Sequence, residues 1–349
     1  MNGAESIAQA LVAHGVKRVY SHAGGTISRI LDAIDRVGIQ VVTAVNEAQA
    51  VHMAQGAYRA SGRVQVALCT SGPGVTNAVT GIADAYYDQD AVMLLAGQVA
   101  THTKRGNRPV RQWGFQECQT LDIMRPVSKA VYVGVSATSL VELVNEALYV
   151  AMDPRPGPTV MECPMDLQEA IFVLHTPDKM LDEVQRRLLE LAKYVPMNAV
   201  WSTQPPRIEG VAEVMAKLEA AERPVIIAGR GCLSAVDELR IFVEHYARVP
   251  VVTSMPAVGV IPTDGGQCFG MLGHTGTKQV NGAVAYADFV LVLGARLDIR
   301  QTGSMTDTWS AGKYVVVVDY DDNELHNKRV GVDRTFNCSV AEWLQEAMA

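Results

Sequence analysis

Short apolar runs alternate with stretches of helical character along the first half of the chain. The predicted helices span Ile27–Val37, Glu47–Ala60 and Gly74–Tyr87, and they alternate with the runs VKRVYS, IQVVTAV, VQVALC and AVMLLAG. This alternation is typical of a parallel sheet with helices on both faces. VQVALC and AVMLLAG are apolar throughout, which predicts central strands buried on both sides. A further strand is predicted at Thr159–Pro164.

The alternation is interrupted after residue 172 and resumes near residue 208. One charged helix is predicted over Lys179–Tyr194, and PMNAVWSTQPPR after it is typical of an interdomain linker. The second half has the runs PVIIAG, VPVVTS, FVLVLG and YVVVVD, with helices predicted at Ser234–Ala247, Gln279–Tyr286 and Ser339–Met348. We therefore predict an α/β chain with two doubly wound parallel-sheet domains, residues 1–172 and 208–349, joined by residues 173–207.

Composition narrows the class of protein. The 349 residues favour two domains. The net charge of -7 argues against binding to nucleic acid or to an anionic membrane, and no apolar run approaches the ~20 residues of a membrane span. The first twenty residues predict an amphipathic helix and not a signal peptide. Six scattered cysteines without a CxxC pair favour a reducing cytoplasm, and neither they nor the irregularly spaced histidines predict a metal site.

Glu47 lies where a predicted strand passes into a predicted helix. The strand Ile39–Val45 leads into Glu47, and AQAVHMAQGAYRASG continues as the helix. An acid at this place stabilises the helix through the macrodipole. A carboxyl group in a dry pocket at the end of a strand is also suited to sharing a proton with a ligand.

The sequence CTSGPGVTN predicts a sharp turn from a strand into a helix that starts near Val75. Gly72, Pro73 and Gly74 allow backbone N–H groups to approach a ligand at the start of this helix. A purely structural turn, with Thr76 or Asn77 as the helix cap, is the alternative. The segment begins about 23 residues after Glu47.

The two segments VNEAQAVHMAQGAYRASG and TSGPGVTN, at this spacing, resemble the pyrimidine-binding domain of thiamine diphosphate enzymes of the acetolactate synthase type. The resemblance implies that Glu47 contacts N1′ of the cofactor's pyrimidine and activates the cofactor. YSHAGG resembles the first-strand loop of that family, with Ala23 in place of a proline. The residues implied to bind the cofactor here are Gly24, Gly25, Thr70, Gly72, Pro73, Gly74 and Asn77.

Further segments resemble the substrate side of these enzymes. AGQV and WGFQECQTLDIMRPVSKA match segments of the active-site wall. The residues implied to face the substrate are His22, Gln98, Phe115, Gln116 and Lys129. Without the resemblance, Phe115 is a candidate core residue and Lys129 a solvated charge at the end of a strand.

The second half resembles the central domain of the same enzymes, which binds FAD in acetohydroxyacid synthases. The stretch MLGHTGTKQVNGAVAYADFVLVLGARLDIRQTG carries the resemblance. The residues implied to bind FAD are Gly229, Gly231, Gly273, His274, Gly294, Arg296, Asp298 and Asp319. GRGC alone lacks the third glycine of a dinucleotide fingerprint, and an ion pair between Arg296 and Asp298 is the alternative for those two residues.

The GDG motif with which this family holds the cofactor's diphosphate and its metal is missing. TDGGQCFG is the nearest segment and is not GDG, so the chain itself predicts no ligands for Mg²⁺. The resemblance therefore implies a split enzyme whose larger subunit forms homodimers and meets a separate chain that binds the diphosphate and Mg²⁺. The implied reaction transfers a two-carbon acyl-anion unit from pyruvate to a carbonyl acceptor. Simple 2-oxo acid decarboxylation, a non-catalytic nucleotide-binding or regulatory homologue, and a shortened longer protein remain alternatives.

Overall fold

The computed structural model describes residues 1–153, 155–172, 208–264, 266–304 and 306–349. It divides into two compact units, Met1–Met197 and Asn198–Ala349. The helix predicted over Lys179–Tyr194 and the linker predicted over 173–207 lie outside the described residues. No helix in the described part of the chain is both long and apolar enough to cross a membrane.

The first unit is built on a six-stranded parallel sheet with the order β2-β1-β3-β4-β6-β5. Its strands are β1 (Arg18–Ser21), β2 (Gln40–Thr43), β3 (Gln65–Cys69), β4 (Val92–Gln98), β5 (Ala130–Val133) and β6 (Thr159–Pro164). Every residue of β4 and β6 is buried, as expected for central parallel strands. The apolar runs at β3 and β4 thus correctly predicted the middle of this sheet.

Helices cover both faces of this sheet. They are α1 (Gly3–Ala13), α2 (Ser28–Arg36), α3 (Glu47–Ser61), α4 (Pro73–Asp88), α5 (Thr120–Met124), α6 (Ala137–Met152) and α7 (Met165–Glu169). One core packs α1, α2 and α6 against the sheet, and the other packs α3 and α4 against it. The predicted N-terminal helix is confirmed as α1, which begins with a capping box formed by Asn2 and Glu5.

The second unit is also built on a six-stranded parallel sheet, with the order β12-β11-β10-β7-β8-β9. Its strands are β7 (Pro224–Ala228), β8 (Val251–Thr253), β9 (Cys268–Met271), β10 (Phe289–Leu293), β11 (Tyr314–Asp319) and β12 (Arg334–Asn337). The helices are α8 (Val211–Ala220), α9 (Val236–His245), α10 (Lys278–Ala285), α11 (Ile299–Thr302), α12 (Thr306–Trp309), α13 (Asp322–His326) and α14 (Val340–Ala347). Two cores, one on each face, confirm the predicted α/β class.

The order of the strands locates one crevice in each sheet. Chain connections run away in opposite directions from the β1–β3 pair in the first sheet and from the β7–β10 pair in the second. In doubly wound sheets, ligands bind outside the carboxyl ends of the strands at such a reversal. A ligand-binding site is therefore expected at the loops that follow these four strands.

Candidate active site

Glu47 is the first residue of α3 and is buried. Asn46 caps the helix by accepting a hydrogen bond from the Gln49 backbone N–H at 2.9 Å, which fixes where the helix begins. The Glu47 side chain is only 6% exposed. Its Oε2 accepts a 2.9 Å hydrogen bond from Asn77 Nδ2 of α4. The acid therefore lies where the macrodipole favours it, but in a closed environment and not on a solvated helix end.

The turn between β3 and α4 brings glycine backbone against this carboxylate. Gly72 has φ +61° and ψ -118°, which favours glycine, and it caps α4 without a side-chain hydrogen bond. A Cβ on Gly74 would lie 2.8 Å from Thr70 Cγ2 and 3.2 Å from Glu47 Oε1. A hydrogen in this place allows Thr70 and Glu47 Oε1 to approach the backbone closely, and we call the contact formed by these three residues the Gly74 cradle.

The alternative in which Thr76 or Asn77 caps α4 is wrong. The helix begins at Pro73, and Thr76 Oγ1 donates to the Pro73 carbonyl oxygen. Asn77 lies one turn inside the helix, where it donates to Glu47. Proline suits the first helical position because its missing N–H has no partner there anyway.

The loop after β1 is tied to the loop after β3 across the crevice. Thr26 Oγ1 and Thr70 Oγ1 are 2.9 Å apart, and the Ser71 N–H donates to Thr26 Oγ1 at 2.9 Å. A Cβ on Gly24 would lie 2.3 Å from Thr70 Cβ, whereas one on Gly25 would have open space. Thr26 was not among the predicted residues, although its place directly after two glycines was an available signal.

His22 joins the end of β1 to the segment that enters α3. Its Nδ1 is 3.1 Å from the Ala44 carbonyl oxygen. The side chain is half-buried. His22 thus joins the loop that carries Gly24 to the segment that leads into Glu47.

Gln98 is buried and fully hydrogen-bonded at the end of β4. Its Nε2 donates to the Cys118 carbonyl oxygen at 2.6 Å and to Glu162 Oε2 at 2.9 Å, while its Oε1 accepts from Val99 N–H. Glu162 also accepts from Lys104 Nζ at 2.5 Å. Glu162 and Lys104 were not among the predicted residues. An acid inside the apolar run TVMECP was the available signal for Glu162.

Phe115 and Gln116 lie in the loop that follows β4. Phe115 is 79% exposed, so its assignment to the core is wrong, while its predicted substrate role is untested. Gln116 has φ +57°, and a Cβ on Gly72 would lie 2.8 Å from Gln116 Cβ. The structure therefore brings Gln116, though not the Phe115 ring, against the glycine turn.

Lys129 lies at the opposite edge of the sheet. It precedes β5, and its Nζ donates to the carbonyl oxygens of Val150, Asp153 and Arg155, near the end of α6. Burial lowers the pKa of Lys129 from 10.5 to about 8, against the opposing charge of Asp153. The structure does not bring Lys129 together with the other predicted residues, since those follow the carboxyl ends of the strands. The alternative of a solvated charge also fails, because the ammonium group is tied to three carbonyls.

The surroundings of Glu47 fit the pyrimidine ring of thiamine diphosphate. Oε2 is held by Asn77, whereas Oε1 accepts no hydrogen bond from any described residue and faces the Gly74 cradle. A carboxylate with one held and one free oxygen can engage a single ring nitrogen. Burial, followed by the charge of Glu47, raises the pKa of the Cys69 thiol, which is therefore an inert neutral wall. Within the described ranges, no cluster of three or more His, Cys, Asp or Glu side chains could hold a metal ion.

In the second unit, the predicted glycines pack on one another at the β7–β10 reversal. A Cβ on Gly229 would lie 2.1 Å from the Gly294 carbonyl oxygen, and a Cβ on Gly231 would lie 2.8 Å from Gly294 Cα. A Cβ on Gly273, which has φ +107°, would lie 2.2 Å from the Arg300 carbonyl oxygen. These close approaches bring three loops together at the carboxyl edge of the second sheet.

The charged residues predicted to bind FAD each have a partner within the second unit. Asp298 caps α11 by accepting hydrogen bonds from the N–H groups of Arg300 and Gln301, and Arg296 Nε lies 3.5 Å from Glu324 Oε1. The alternative of an Arg296–Asp298 ion pair is therefore wrong. Asp319 ends β11 and accepts from the Asp321 N–H at 3.0 Å.

A cleft of about 470 Å³ lies beside α11 in the second unit. Of the predicted residues, Gly273 and His274 line it. The other polar and aromatic lining residues, which include Arg300, Trp309 and Lys313, were not predicted. Burial lowers the pKa of Lys313. The cleft offers an apolar wall, an aromatic ring and two cationic groups to a ligand.

Comparison with known protein families agrees with this geometry. Residues 1–124 match the family described as "Thiamine pyrophosphate enzyme, N-terminal TPP binding domain". Residues 211–346 match the "Thiamine pyrophosphate enzyme, central domain". The chain therefore belongs to the thiamine pyrophosphate enzymes, of which it carries the N-terminal and central domains.

Curated relatives place the chain more narrowly within that family. It is 34% identical over 336 residues to "Acetolactate synthase isozyme 3 large subunit" of Escherichia coli (strain K12), a match that covers 95% of this chain and 55% of the relative. It is 33% identical over 327 residues to the acetolactate synthase large subunit of Lactococcus lactis, covering 93% of this chain and 53% of the relative. The chain thus spans about half the length of the curated relatives it matches.

Proposed function

We propose that this chain is the larger subunit of a split thiamine diphosphate-dependent enzyme of the acetolactate synthase type. It would contribute the side of the active site that binds the cofactor's pyrimidine ring. The observation that carries the proposal is the buried Glu47 carboxylate, with Oε2 held by Asn77 and with Oε1 beside Gly74 and without a hydrogen bond from any described residue. When bound, thiamine diphosphate supplies the carbanion that adds to a 2-oxo acid.

The chain's own residues prepare that chemistry in two ways. Glu47 Oε1 would hydrogen-bond the pyrimidine nitrogen and hold a proton there, and its dry surroundings would keep water from competing for the carboxylate. Asn77 fixes the carboxylate by its hydrogen bond, so that Oε1 is aimed before the ligand arrives. Gly72 and Gly74 let the ring approach the backbone, since a side chain on Gly74 would fill the cradle.

The diphosphate and Mg²⁺ are assigned to a second chain. The sequence has no GDG motif, and the described residues provide no cluster of acidic or nitrogen ligands for the ion. We propose a separate diphosphate-binding subunit that meets the carboxyl edge of the first sheet. We also propose that two copies of this chain associate through the pyrimidine-binding domain, in a cytoplasm that keeps its six free cysteines reduced.

The substrate is assigned from the relatives and from the shape of the site. The relatives are named acetolactate synthases, so we propose decarboxylation of a 2-oxo acid such as pyruvate and transfer of its two-carbon unit to a carbonyl acceptor. Gln116 lies against the glycine turn, and Phe115 is exposed on the same loop. In the proposal, this loop forms the wall that faces the substrate. Buried Gln98 holds the end of the loop through its hydrogen bond to the Cys118 carbonyl oxygen.

FAD is proposed for the second unit. The cleft lined by Gly273, His274, Arg300 and Trp309 would hold an aromatic ring system with anionic groups. The chain purified from its native host should then show the visible absorbance of a flavin. His274→Ala combined with Arg300→Gln should abolish that absorbance while leaving the first unit folded.

Affinity capture of the chain from its native lysate tests the split enzyme. Mass spectrometry should identify a small chain that bears a GDG motif. Pyruvate consumption should appear only when both chains, thiamine diphosphate and Mg²⁺ are combined. Recovery of the chain without a partner, together with nucleotide binding and no thiamine diphosphate-dependent activity, would instead support a non-catalytic nucleotide-binding protein. Aldehyde release without a coupled product would support simple decarboxylation.

A further inference from the structure

A basic loop leaves the carboxyl edge of the first sheet next to the candidate site. We define the basic loop as residues 101–113, THTKRGNRPVRQW. It contains four of the chain's 30 lysines and arginines and no acidic residue, although the whole chain has a net charge of -7. Such a concentration of one sign on an acidic protein produces a local positive field.

Both ends of the basic loop are anchored beside the site. At its start, the Thr101 N–H donates to Asp166 Oδ1 at 2.9 Å, and Lys104 Nζ lies 2.5 Å from the buried Glu162. Directly after it, Gly114 packs on Val99, where a Cβ would come within 2.9 Å of the valine. The chain then reaches Gln116 against the glycine turn. The basic loop therefore projects from the same edge that carries Glu47.

Two of the four cationic residues make contacts that stabilise the conformation of the loop. Lys104 is neutralised by Glu162. The backbone N–H of Arg105 donates to both carboxylate oxygens of Glu117 at 2.9 Å, and its guanidinium donates to the Val110 carbonyl oxygen at 3.0 Å. Glu117 also accepts from the Trp113 N–H at 3.0 Å, so its charge is engaged by backbone within the loop.

The other two cationic residues retain donors for a ligand. The Arg108 guanidinium lies over the Trp113 ring at 4.8 Å and uses one nitrogen for the carbonyls of Lys104 and Arg105. Arg111 is exposed and makes no hydrogen bond or ion pair with any residue in the described part of the chain. Arg111 lines an open cleft of about 830 Å³ with Pro109, Val110, Gln112 and Glu117. In addition, the Arg105 Nε atom is buried without a partner.

We propose that the basic loop binds a second anionic group on the substrate through Arg111, with Arg108 beside it. The substrate class is a 2-oxo acid or a carbonyl acceptor that carries an additional carboxylate or phosphate. This inference rests on the proposed function for the reaction, and it names the substrate class for the same site. A guanidinium presents paired N–H donors that match carboxylate and phosphate oxygens, which explains a free arginine beside an open cleft.

Trp113 reports on binding to the loop because Arg108 lies over its ring. The full-length chain, without thiamine diphosphate, is titrated with 2-oxoglutarate, pyruvate and inorganic pyrophosphate while tryptophan emission is followed. The variant Trp113→Phe lacks this ring and gives the background change in tryptophan emission. The wild type should bind 2-oxoglutarate roughly fivefold to tenfold tighter than pyruvate, and this preference should fall with added salt.

Arg111→Gln should abolish the preference. Arg63→Gln is the matched control, because Arg63 is exposed just before β3, at the opposite edge of the sheet, and should retain it. Equal affinity for 2-oxoglutarate and pyruvate would overturn the inference, as would equal losses in both variants. Arg111-dependent binding of pyrophosphate alone would also overturn it, by assigning the loop to the cofactor's diphosphate.

The outcome is separable from that of the proposed function. Glu47→Gln should keep the preference for 2-oxoglutarate, since Glu47 is not part of the basic loop. A preserved preference without thiamine diphosphate-dependent activity in the assembled complex would contradict the proposed function alone. Activity without a preference would contradict the inference alone.

Discussion

At the scale of single residues, the site depends on how two helices confine one carboxylate. Glu47 begins α3, and Asn77 and Gly74 belong to the first two turns of α4. Asn77 holds one carboxylate oxygen, and the Gly74 backbone lies close beside the other. The sequence predicted Glu47 and the glycine turn, because each is a local pattern. It did not predict that Asn77 holds the acid, because that contact joins residues thirty positions apart.

Gly74→Ala should impair the site more than the fold. The added methyl group would lie 2.8 Å from Thr70 Cγ2 and 3.2 Å from Glu47 Oε1, so it would displace the carboxylate. We expect a loss of roughly tenfold or more in thiamine diphosphate affinity, measured calorimetrically on the assembled complex. Gly56→Ala in α3 is the control: a Cβ there has open space, and the variant should be about 0.5–1 kcal/mol more stable. Unchanged cofactor affinity in Gly74→Ala would refute the cradle.

Lys129 should make stability depend on pH in an alkaline window. Burial lowers its pKa in the folded chain from 10.5 to about 8, so between these values the unfolded chain binds more protons. The free energy of unfolding contributed by Lys129 should therefore rise as the pH increases from about 8 to 10.5. We expect this rise as a difference between the wild type and Lys129→Met in urea unfolding. A difference that is constant over the window would contradict the assignment.

At the scale of elements, the central strands were predictable, whereas of the four edge strands only β2 was predicted. β3 and β4 are continuous apolar runs because parallel strands in the middle of a sheet are covered on both faces. β5, β9 and β12 are four-residue strands at or next to the edges, where burial is partial and no apolar pattern is required. The surroundings of Lys129 were not predictable either. A local pattern of residues does not show which distant segments pack around a charged side chain.

Gly81 should be essential to the packing of α3 against α4. A Cβ at this position would lie 2.6 Å from Val51 Cβ and 3.1 Å from the Ala48 carbonyl oxygen. Gly81→Ala should therefore destabilise the first unit by about 1–3 kcal/mol, as overpacking usually does. Urea unfolding followed by circular dichroism measures this change. Stability equal to that of the wild type would show that the helices separate at no cost.

At the scale of the whole molecule, each unit has a complete sheet with a core on both faces. Among the described residues, the two large cores of the first unit draw on residues from Ala4 to Leu167, and those of the second draw on residues from Ile208 to Ala347. The chain also matches the N-terminal domain of thiamine pyrophosphate enzymes in residues 1–124 and their central domain in residues 211–346. A separate hydrophobic core is what allows a domain to fold independently.

The fragments 1–172 and 208–349 should therefore each fold alone. Each should show an α/β circular dichroism spectrum and a cooperative urea transition. The first fragment should retain the antiparallel bridge between Asn2 and Ile171, which joins its two ends. Cutting it back to residue 165 should reduce its stability. An unfolded fragment, alongside an intact full-length chain, would contradict the predicted domain boundaries.

The central claim is that Glu47 activates thiamine diphosphate. The most direct measurement is the rate of thiamine diphosphate-dependent pyruvate consumption by the assembled complex, with Glu47→Gln in place of the wild-type chain. Glutamine keeps the shape but cannot hold the proton, so the rate should fall by roughly 10²–10⁴-fold with unfolding stability unchanged. Glu213→Gln, an exposed acid in the first turn of α8, should keep full activity. Full activity in Glu47→Gln would remove this residue from the mechanism and contradict the account.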